Sequence, residues 1–429
     1  MNKEKLKKIK VLYDSYKVLK KIVSQILFCL EYPISLVNIS MNTKRVKKKI
    51  AKNKVLNVVF IIQYVPSWNK LKPIYNKMLV DDRFNPIIVC VPLNIQNHVL
   101  MDKNGNDTYQ YFVDHGYCAI NALLDDGCWF DLKQLKPDYL FHSRPYNSFM
   151  PRNYTSGRIV KYALICNVLY GICLSLNEQK VCINKDYFKD VYIYYSFDSS
   201  EAINYKKMNK LGALLHIQKC YPYGATGIEQ ILESKKENKK RSFKNTVLWT
   251  PRWSTDSFAG GSNFFNYRST IIRFAEENKD VLFVLRPHPL MFKNFIKSGE
   301  MTKREVEEFK EYCKKKENVI LDESNDYSET FWNSDILITD LSGIVPEYFI
   351  TGKPIIYCHS NVHFQYTEPI EKIIHSCYEA QNSDDVIRYF NQLISSDDYK
   401  LKNREDCMNE LFSDVENNSN NIVKSLFLL

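Results

Sequence analysis

Three short motifs in the second half of the sequence combine residue types that bind phosphate groups. The first is Arg286-Pro287-His288-Pro289, which directly follows the apolar run 281–285. Because proline cannot continue a strand, this loop should hold Arg286 and His288 at the end of that strand. A guanidinium beside an imidazole suits a phosphate, which needs paired hydrogen bonds and a second donor or proton carrier. The alternative is a capped turn in which backbone groups satisfy His288.

The second motif is the run S-D-I-L-I-T-D-L-S-G-I-V-P-E-Y over residues 334–348. It predicts a buried strand that ends at Thr339 and a helix that carries Glu347. Pro346 belongs in the first turn of a helix, so the helix should begin near residues 342–345. The free N–H groups of Ser342 and Gly343 would then face an anion at the strand edge. The alternative is that Ser342 only caps the helix.

The third motif is Leu248-Trp249-Thr250-Pro251-Arg252-Trp253-Ser254, another strand that runs into a proline turn. Arg252 and Trp253 have the chemistry to hold a diphosphate and to stack on a base. A core tryptophan at the end of a strand is the alternative.

The elements around these motifs alternate between strand-like and helix-like segments. Strands are predicted over 55–63, 86–91, 117–121, 138–142, 162–168, 191–196, 246–249, 281–285, 318–321, 335–339 and 354–357. This alternation predicts an α/β fold with two doubly wound parallel sheets that face a cleft, where such folds bind ligands. We divide the chain into a basic segment (1–54), a first domain (55–233), a charged linker (234–244), a second domain (245–403) and a closing helix (404–429).

The composition excludes several classes of protein. With 429 residues, 45% of them apolar and 14% aromatic, the chain is long enough for two domains and too apolar to be disordered. Residues 1–54 contain 15 Lys and Arg against three acidic residues, whereas the remaining chain is nearly neutral. This distribution argues against nucleic-acid binding and for a basic attachment segment. The twelve cysteines include no C-x-x-C pair and no signal peptide is recognised, so we expect no zinc site and a reducing cytoplasm.

The first 54 residues predict a basic amphipathic helix. Apolar side chains follow steps of three and four residues, with lysines around them, at Ile9, Leu12, Tyr16, Leu19, Val23 and Ile26. We expect Pro33 to end the helix and a second basic cluster to follow at 44–49. Such a helix can lie on an anionic membrane, and a helix packed on the body or a coiled coil is the alternative. No apolar run reaches the roughly 18–20 residues of a membrane span, so an integral membrane protein is not expected.

The motifs T-P-R-W, R-P-H-P and S-D-I-L-I-T-D-L-S-G-I-V-P-E-Y, followed by G-K-P-I-I-Y, resemble the CDP-glycerol glycerophosphotransferase family over about residues 246–358. The resemblance implies a two-domain GT-B fold, often attached to the membrane surface. It also implies transfer of glycerol phosphate from CDP-glycerol to an acceptor hydroxyl, with release of CMP, in the synthesis of teichoic acids and related polymers.

By this resemblance His288 contacts the donor phosphates. Asp340, Ser342 and Gly343 line the diphosphate and ribose site, and Glu347 stands where relatives carry an aspartate. The remaining predicted donor-binding residues are Arg252, Trp253, Arg286 and Thr339. Many relatives have a serine where this chain has Gly343, so one hydroxyl donor is lost while the backbone N–H stays.

One departure from the family lies in the first domain. Members of the family carry a His-Gly-Thr motif whose histidine resembles a general base, and Tyr170-Gly171-Ile172 takes its place here. A phenol with a pKa of about 10 is a poor base at neutral pH. His142, at the end of a neighbouring predicted strand, is the substitute that we propose to test. The alternative for His142 is a structural role.

Three functional hypotheses follow. The first is transfer of a polyol phosphate from a CDP-activated donor such as CDP-glycerol to a polyol-phosphate or lipid-linked glycan acceptor. The second is a glycosyltransferase that uses a nucleotide sugar, and the third is a binding protein without activity. Neither a cofactor nor a metal is required, although Asp340 could hold one Mg²⁺. The expected location is the cytoplasm, at the inner face of the membrane.

Overall fold

The structure, a computed structural model, describes residues 3–95, 99–100, 106–235, 243–256, 260–324, 327–360 and 362–428. Its strands are β1 (Leu56–Ile62), β2 (Phe84–Cys90), β3 (Asn94–Ile95), β4 (Val99–Leu100), β5 (Ala119–Asn121), β6 (Tyr139–His142), β7 (Leu164–Val168), β8 (Val191–Tyr195), β9 (Lys219–Tyr221), β10 (Asn245–Thr250), β11 (Val281–Leu285), β12 (Val319–Leu321), β13 (Ile336–Thr339), β14 (Ile355–Cys358) and β15 (Tyr378–Ala380).

Helices lie between most of these strands. They are α1 (Lys3–Ile50), α2 (Lys72–Leu79), α3 (Asp107–Asp114), α4 (Ser156–Ile159), α5 (Leu176–Cys182), α6 (Lys185–Phe188), α7 (Ser199–Met208), α8 (Lys210–Leu214), α9 (Thr226–Glu233), α10 (Phe264–Glu277), α11 (Met291–Ser298), α12 (Lys303–Lys314), α13 (Ser328–Asn333), α14 (Ile344–Phe349), α15 (Glu368–His375), α16 (Ser383–Ile394), α17 (Leu401–Phe412) and α18 (Asn418–Ser425). A 3₁₀ helix, Val65–Lys70, follows β1.

Two parallel sheets organise the chain. The first has the order β5-β2-β1-β6-β7-β8-β9 and the second the order β12-β11-β10-β13-β14-β15. Neighbouring strands in both sheets pair in parallel. Their central strands are apolar and buried along their length, as parallel strands covered by helices on both faces must be. This arrangement confirms the predicted pair of doubly wound sheets.

The end of the chain returns to the first domain. The sequence predicted one closing helix over 404–426, but the structure has α17 and α18 joined by a short 3₁₀ turn. Ile422 and Leu426 are buried in the core of the first domain, and the carbonyl of Leu426 accepts a hydrogen bond of 2.6 Å from the Tyr139 hydroxyl. Part of the predicted linker, 236–242, lies outside the described residues.

The prediction that Pro33 ends the N-terminal helix is wrong. Helix α1 continues to Ile50 with Pro33 inside it. Proline removes the bond to the carbonyl four residues earlier, and that carbonyl belongs to Cys29, an exposed residue that water can solvate. The segment Ile22–Ile50 contains an 18-residue window with a mean hydropathy of 1.6, which is enough to cross a membrane by length and composition only. The expectation that no segment meets this criterion therefore does not hold.

Helix α1 docks on the first domain through its C-terminal half. Ile39 and Val46 are buried in the first core. The side chains of Arg45 and Lys49 donate hydrogen bonds of 2.7 and 2.6 Å to the buried carboxylate of Asp138. Before Tyr32 almost every described side chain from Ser15 to Glu31 is exposed, and the contacts with the first domain are those of Lys185 with Gln25 and Phe28 and of Lys189 with Glu31. The side chains of residues 3–14, and those of Lys17, Lys20 and Lys21, lie outside the described part of the chain.

Candidate functional site

Three neighbouring strands of the second sheet end at one edge and bring the predicted motifs together. Strand β10 pairs with β11 on one side and with β13 on the other, and Thr250 is opposite Thr339. The loops that start at Pro251, Arg286 and Asp340 therefore leave the sheet side by side. This is the edge at which open parallel sheets bind ligands.

Asp340 fastens two of these loops. Its Oδ2 accepts hydrogen bonds from the backbone N–H groups of Arg252, at 2.8 Å, and Asn263, at 3.2 Å. Its Oδ1 accepts from Nδ2 of Asn263 at 2.9 Å. Burial raises the pKa of Asp340 to about 6. Since its carboxylate is engaged and 3% exposed, Asp340 positions the loops around the site and is not placed to hold a ribose or Mg²⁺.

Thr339 has a structural role as well. Its hydroxyl donates to the Thr250 carbonyl at 3.1 Å and accepts from the Thr250 hydroxyl at 2.7 Å. The side chain is buried. Thr339 thus ties the ends of β10 and β13 together and does not face the site.

His288 is fixed in one tautomer. Its Nδ1 accepts a hydrogen bond of 3.1 Å from the backbone N–H of Leu290. Burial, and then the nearby guanidinium of Arg252, lower the pKa of His288 to about 4. At neutral pH the ring is therefore uncharged with its proton on Nε2. His288 can donate a hydrogen bond to a phosphate oxygen from Nε2, but it cannot take up a proton there.

Arg252 lies beside His288 and against the ring of Phe364, 5.3 Å from its centre. Its Nη1 donates to the carbonyl of Leu341, the residue before Ser342. The guanidinium therefore spans the space between the histidine loop and the loop of the second motif. Trp253 is half-buried, and its carbonyl accepts a hydrogen bond of 3.0 Å from Asn294.

Arg286 is engaged by groups of its own domain. Its Nη1 donates to Asp322 at 2.6 Å and to the Ser324 hydroxyl at 3.1 Å, and its Nη2 donates to the Ser324 carbonyl at 2.6 Å. The guanidinium also packs on the ring of Tyr327 at 5.4 Å. A bidentate contact between Arg286 and a phosphate, as predicted, would require these hydrogen bonds to break. Arg286 therefore contributes positive charge but no free pair of N–H donors.

Ser342 and Gly343 precede a short helix. Helix α14 has six residues, and its N-cap is Gly343 with no side-chain bond, so the expectation that Ser342 caps the helix is wrong. The Ser342 hydroxyl is buried and has no hydrogen-bond partner among the described residues. A side chain at Gly343 would meet no atom within 4 Å, and its φ of −57° is not restricted to glycine. Ser342 therefore carries an unpaired hydroxyl, and the open space lies beside the next residue, Gly343.

Glu347 is engaged by residues of both domains. It forms a buried ion pair with Lys70 of the first domain and accepts a hydrogen bond from the Tyr327 hydroxyl. Lys70 also donates to the Tyr327 oxygen at 3.1 Å. This cluster joins the two domains. Glu347 therefore holds the domains together across the cleft, and the prediction that it binds the donor is not supported by these contacts.

Neither predicted base of the first domain fits that role. His142 is buried inside the domain, where Nδ1 lies 3.2 Å from the Tyr187 hydroxyl, and burial, followed by the charge of Arg144, lowers its pKa to about 3. Tyr170 lies 3.3 Å from the Tyr146 hydroxyl, and burial raises its pKa above the usual value of a phenol. His142 is too enclosed to reach an acceptor, and Tyr170 stays protonated at neutral pH, so it cannot take up a proton.

Several residues of the site were not predicted from the sequence. Lys70, Tyr327 and Asn263 contact predicted site residues from distant parts of the chain, up to 277 positions away. Polar residues directly after β1 were the one available hint for Lys70. Within the described residues, no group of three or more His, Cys, Asp or Glu could hold a metal ion.

The family model of CDP-glycerol:poly(glycerophosphate) glycerophosphotransferases matches residues 226–428. This match confirms the resemblance drawn from the motifs and the prediction of a glycerophosphotransferase-type enzyme. No curated protein matches the chain in a sequence search.

Solved structures show the fold. UDP-GlcNAc 2-epimerase from Neisseria meningitidis, bound to UDP-GlcNAc, has a TM-score of 0.59 at 14% identity and covers 87% of this chain and 100% of its own. The S. aureus MnaA–UDP structure has a TM-score of 0.55 at 16% identity, with coverage of 86% and 95%. The wall teichoic acid polymerase TagF has a TM-score of 0.49 at 14% identity, with coverage of 90% and 96%, which is too low to support an inference. Identities this low establish the shared architecture alone, and that architecture agrees with the predicted GT-B fold.

Proposed function

We propose that the cleft transfers glycerol phosphate, or a related polyol phosphate, from a CDP-activated donor to an acceptor hydroxyl, because residues 226–428 match the family model of CDP-glycerol:poly(glycerophosphate) glycerophosphotransferases. The acceptor is a polyol-phosphate polymer or a lipid-linked glycan of the teichoic acid or capsule type. Besides the family match, this proposal rests on the hydrogen-bond donors that lie together at the edge of the second sheet.

Those donors suit a diphosphate. His288 presents an N–H from Nε2, the Ser342 hydroxyl is unpaired, and Arg252 adds positive charge between them. Phosphoryl transfer depends chiefly on positioning and on charge stabilisation, and both can be supplied by fixed donors without a metal. Asp340 accepts a hydrogen bond from the backbone N–H of Arg252 and so holds the Arg252 loop in place beside the other donors.

The transfer step can be tested with purified protein. CMP release from CDP-glycerol is measured in the presence of a poly(glycerophosphate) acceptor, and a parallel panel contains CDP-ribitol and UDP-sugars. The proposal expects CMP release from a CDP-polyol. Binding of UDP-sugars with no affinity for CDP-glycerol would instead favour a glycosyltransferase, and nucleotide binding without turnover would favour a protein without activity.

We also propose that α1 attaches the enzyme to the cytoplasmic face of an anionic membrane. One side of α1 is docked on the first domain, and the opposite side leaves an apolar stripe exposed, formed by Tyr16, Leu19, Val23, Ile26, Leu30, Ile34, Val37 and Met41. Lys44, Lys47 and Lys48 of the second basic cluster are exposed near its end. A helix with one apolar face and flanking lysines binds at the interface of an anionic bilayer.

An interfacial position is favoured over a membrane span. Within the candidate span Ile22–Ile50, Tyr32 contacts Gln218 through a hydrogen bond of 2.8 Å, and Asn42 donates to the Val160 carbonyl at 2.8 Å. The helix would have to leave the first domain in order to cross the bilayer. These polar contacts would then be lost together with the Asp138 ion pairs.

A further inference from the structure

A cavity lies between the two domains beside the predicted site. It is narrow, with room for about one or two water-sized groups, and is lined by, among others, Lys70, Gly171, Glu201, Gly224, Gly227 and Glu347. Most of the lining comes from the first domain, and Glu347 closes it from the second. The cavity therefore exists only while the domains face each other.

Glu201 carries an unpaired oxygen in the wall of this cavity. Its Oε2 accepts hydrogen bonds from the Tyr194 hydroxyl, at 2.7 Å, and from the backbone N–H of Phe197, at 2.8 Å. Its Oε1 is buried and meets no donor at hydrogen-bond geometry in the described part of the chain, although the Cys173 thiol is near enough to the carboxylate to lower its pKa. A buried acceptor without a partner is unfavourable, because it has lost its hydrogen bonds to water. A ligand hydroxyl in the cavity would remove this cost.

The cavity is close to the donor site. Gly171 directly follows Tyr170, the residue in the place of the family's histidine. Glu347 lies four residues beyond Gly343, so both occupy one side of α14 a single turn apart, about 5–6 Å. The space beside Gly343 is open. A group in the cavity is thus one helical turn from the proposed phosphate contacts.

We propose that this cavity holds the attacking hydroxyl of the polyol acceptor and that Oε1 of Glu201 receives its proton. The inference rests on the proposed function and names a base for it. The acceptor oxygen forms a bond to the phosphorus that carries glycerol, and the bond from that phosphorus to the CMP oxygen breaks. The electron pair leaves with CMP, and the acceptor proton passes to Glu201.

The electrostatic surroundings suit this role. Burial, and then the neighbouring carboxylate of Asp198, raise the pKa of Glu201 to about 7. A base with such a pKa is half ionised near neutral pH, where general-base catalysis is most effective. The titratable and charged groups that face Glu201 or line the cavity are Tyr194, Tyr195, Asp198, Cys173, Cys220, Lys70 and Glu347.

The test compares Glu201→Gln with Glu229→Gln in the full chain. Glutamine keeps the size of Glu201 but cannot accept the proton. Glu229 is a matched control, because burial also raises its pKa to about 7 while its carboxylate is held by Ser419. We expect acceptor-dependent CMP release to fall by about 100-fold or more in Glu201→Gln, and the acidic limb of its pH–kcat profile near pH 7 to disappear. The Glu229→Gln control should keep the wild-type rate of CMP release and the acidic limb. The dissociation constant of CDP-glycerol, measured by calorimetry, should stay within about twofold of the wild-type value in both variants.

A second variant keeps the test informative should Glu201→Gln fold poorly. A side chain at Gly171 meets no atom within 4 Å, so Gly171→Leu is compatible with the fold and narrows the cavity. It should raise KM for the acceptor while the affinity for CDP-glycerol stays unchanged. Glu201→Gln with turnover near that of the wild type and an intact acidic limb would overturn the inference alone. Wild-type protein that neither binds nor cleaves CDP-glycerol would overturn the proposed function as well.

Discussion

Lys70 of the first domain and Glu347 of the second form an ion pair whose side chains are 7% and 6% exposed. Tyr327 contacts both partners and packs under the guanidinium of Arg286. Glu347 lies on the helix that follows Ser342 and Gly343, and both partners line the cavity beside Glu201. The same two charges thus set the width of the cleft and the position of the helix that borders the donor site.

Replacement of Lys70 by Met is expected to destabilise the folded protein strongly. It leaves the carboxylate of Glu347 buried without its partner, which costs about 3–5 kcal/mol. Urea unfolding checks this, with Arg304→Met as the control because Arg304 and its partner Glu308 are both exposed. The double variant Lys70→Met with Glu347→Gln should recover part of the loss. Equal stability of the Lys70 and Arg304 variants would rule out the ion pair as a link between the domains.

His288→Asn should remove catalysis while the loop stays intact. The asparagine oxygen can replace Nδ1 as acceptor for Leu290, but the donor at Nε2 is lost. Loss of one fixed donor to a developing charge costs about 10²–10³ in kcat. His288→Gln, whose amide can reach the Nε2 position, should retain more activity than His288→Asn. The reverse order would show that the loop bond, and not the donor, is what matters.

Ionisation of His288 should not make CDP-glycerol binding depend on pH near neutrality. Because its pKa is lowered to about 4, the ring is uncharged throughout pH 5–8 and keeps its proton on Nε2. The pH dependence of CDP-glycerol binding, measured by calorimetry, should therefore show no step from His288 in this range. A step near pH 6.5 that disappears in His288→Gln would contradict this account.

Stability should depend on pH through Glu229. Burial raises its pKa to about 7 from an ordinary value of 4.5. The folded state holds this proton more tightly than the unfolded state, so its contribution to stability is complete below about pH 4.5 and is lost as the pH rises through about 7. Thermal unfolding of Glu229→Gln should show a smaller fall in Tm between pH 5 and 8 than the wild type does. An identical fall in both proteins would contradict the assignment.

Membrane attachment should depend on the exposed stripe of α1. Leu30→Asp places a charge in the stripe, where the leucine is 63% exposed, whereas Ser24→Asp places the same charge on an exposed polar position nearby. We expect Leu30→Asp to reduce flotation with phosphatidylglycerol vesicles and Ser24→Asp to leave it nearly unchanged, because an apolar face drives interfacial binding. Both variants should unfold like the wild type. Equal flotation of the two would contradict the membrane proposal, and a concentration-dependent dimer lost only in Leu30→Asp would support a coiled coil.

The sequence predicted the central strands of both sheets and the edge at which they meet, because apolar runs and proline turns are local signals, whereas the short strands β3, β4, β9 and β15 were not predicted. The three loops of the second domain converge for that reason. Side-chain partners were not predictable in the same way. Arg286 is engaged by Asp322, 36 positions later, and Glu347 by Lys70, 277 positions earlier, and no local pattern marks such pairs. Pro33 misled because an exposed turn of helix tolerates the missing hydrogen bond.

The search for a general base around Tyr170 shows the same limit, namely that contacts between distant residues are not predictable from local patterns. Its place in the motif identified the loop that borders the interdomain cavity, but the sequence offered only His142 as a substitute base. Glu201 was not recognised, because its unpaired oxygen arises from the packing of α7 against β8 and from the cavity that the second domain closes.

A crystal structure with CDP-glycerol tests the central claim most directly. The account predicts that the diphosphate lies within about 3 Å of Nε2 of His288 and of the Ser342 hydroxyl, with the glycerol phosphate facing Glu201 across the cavity. A nucleotide bound elsewhere, or one whose phosphates contact neither residue, would contradict it.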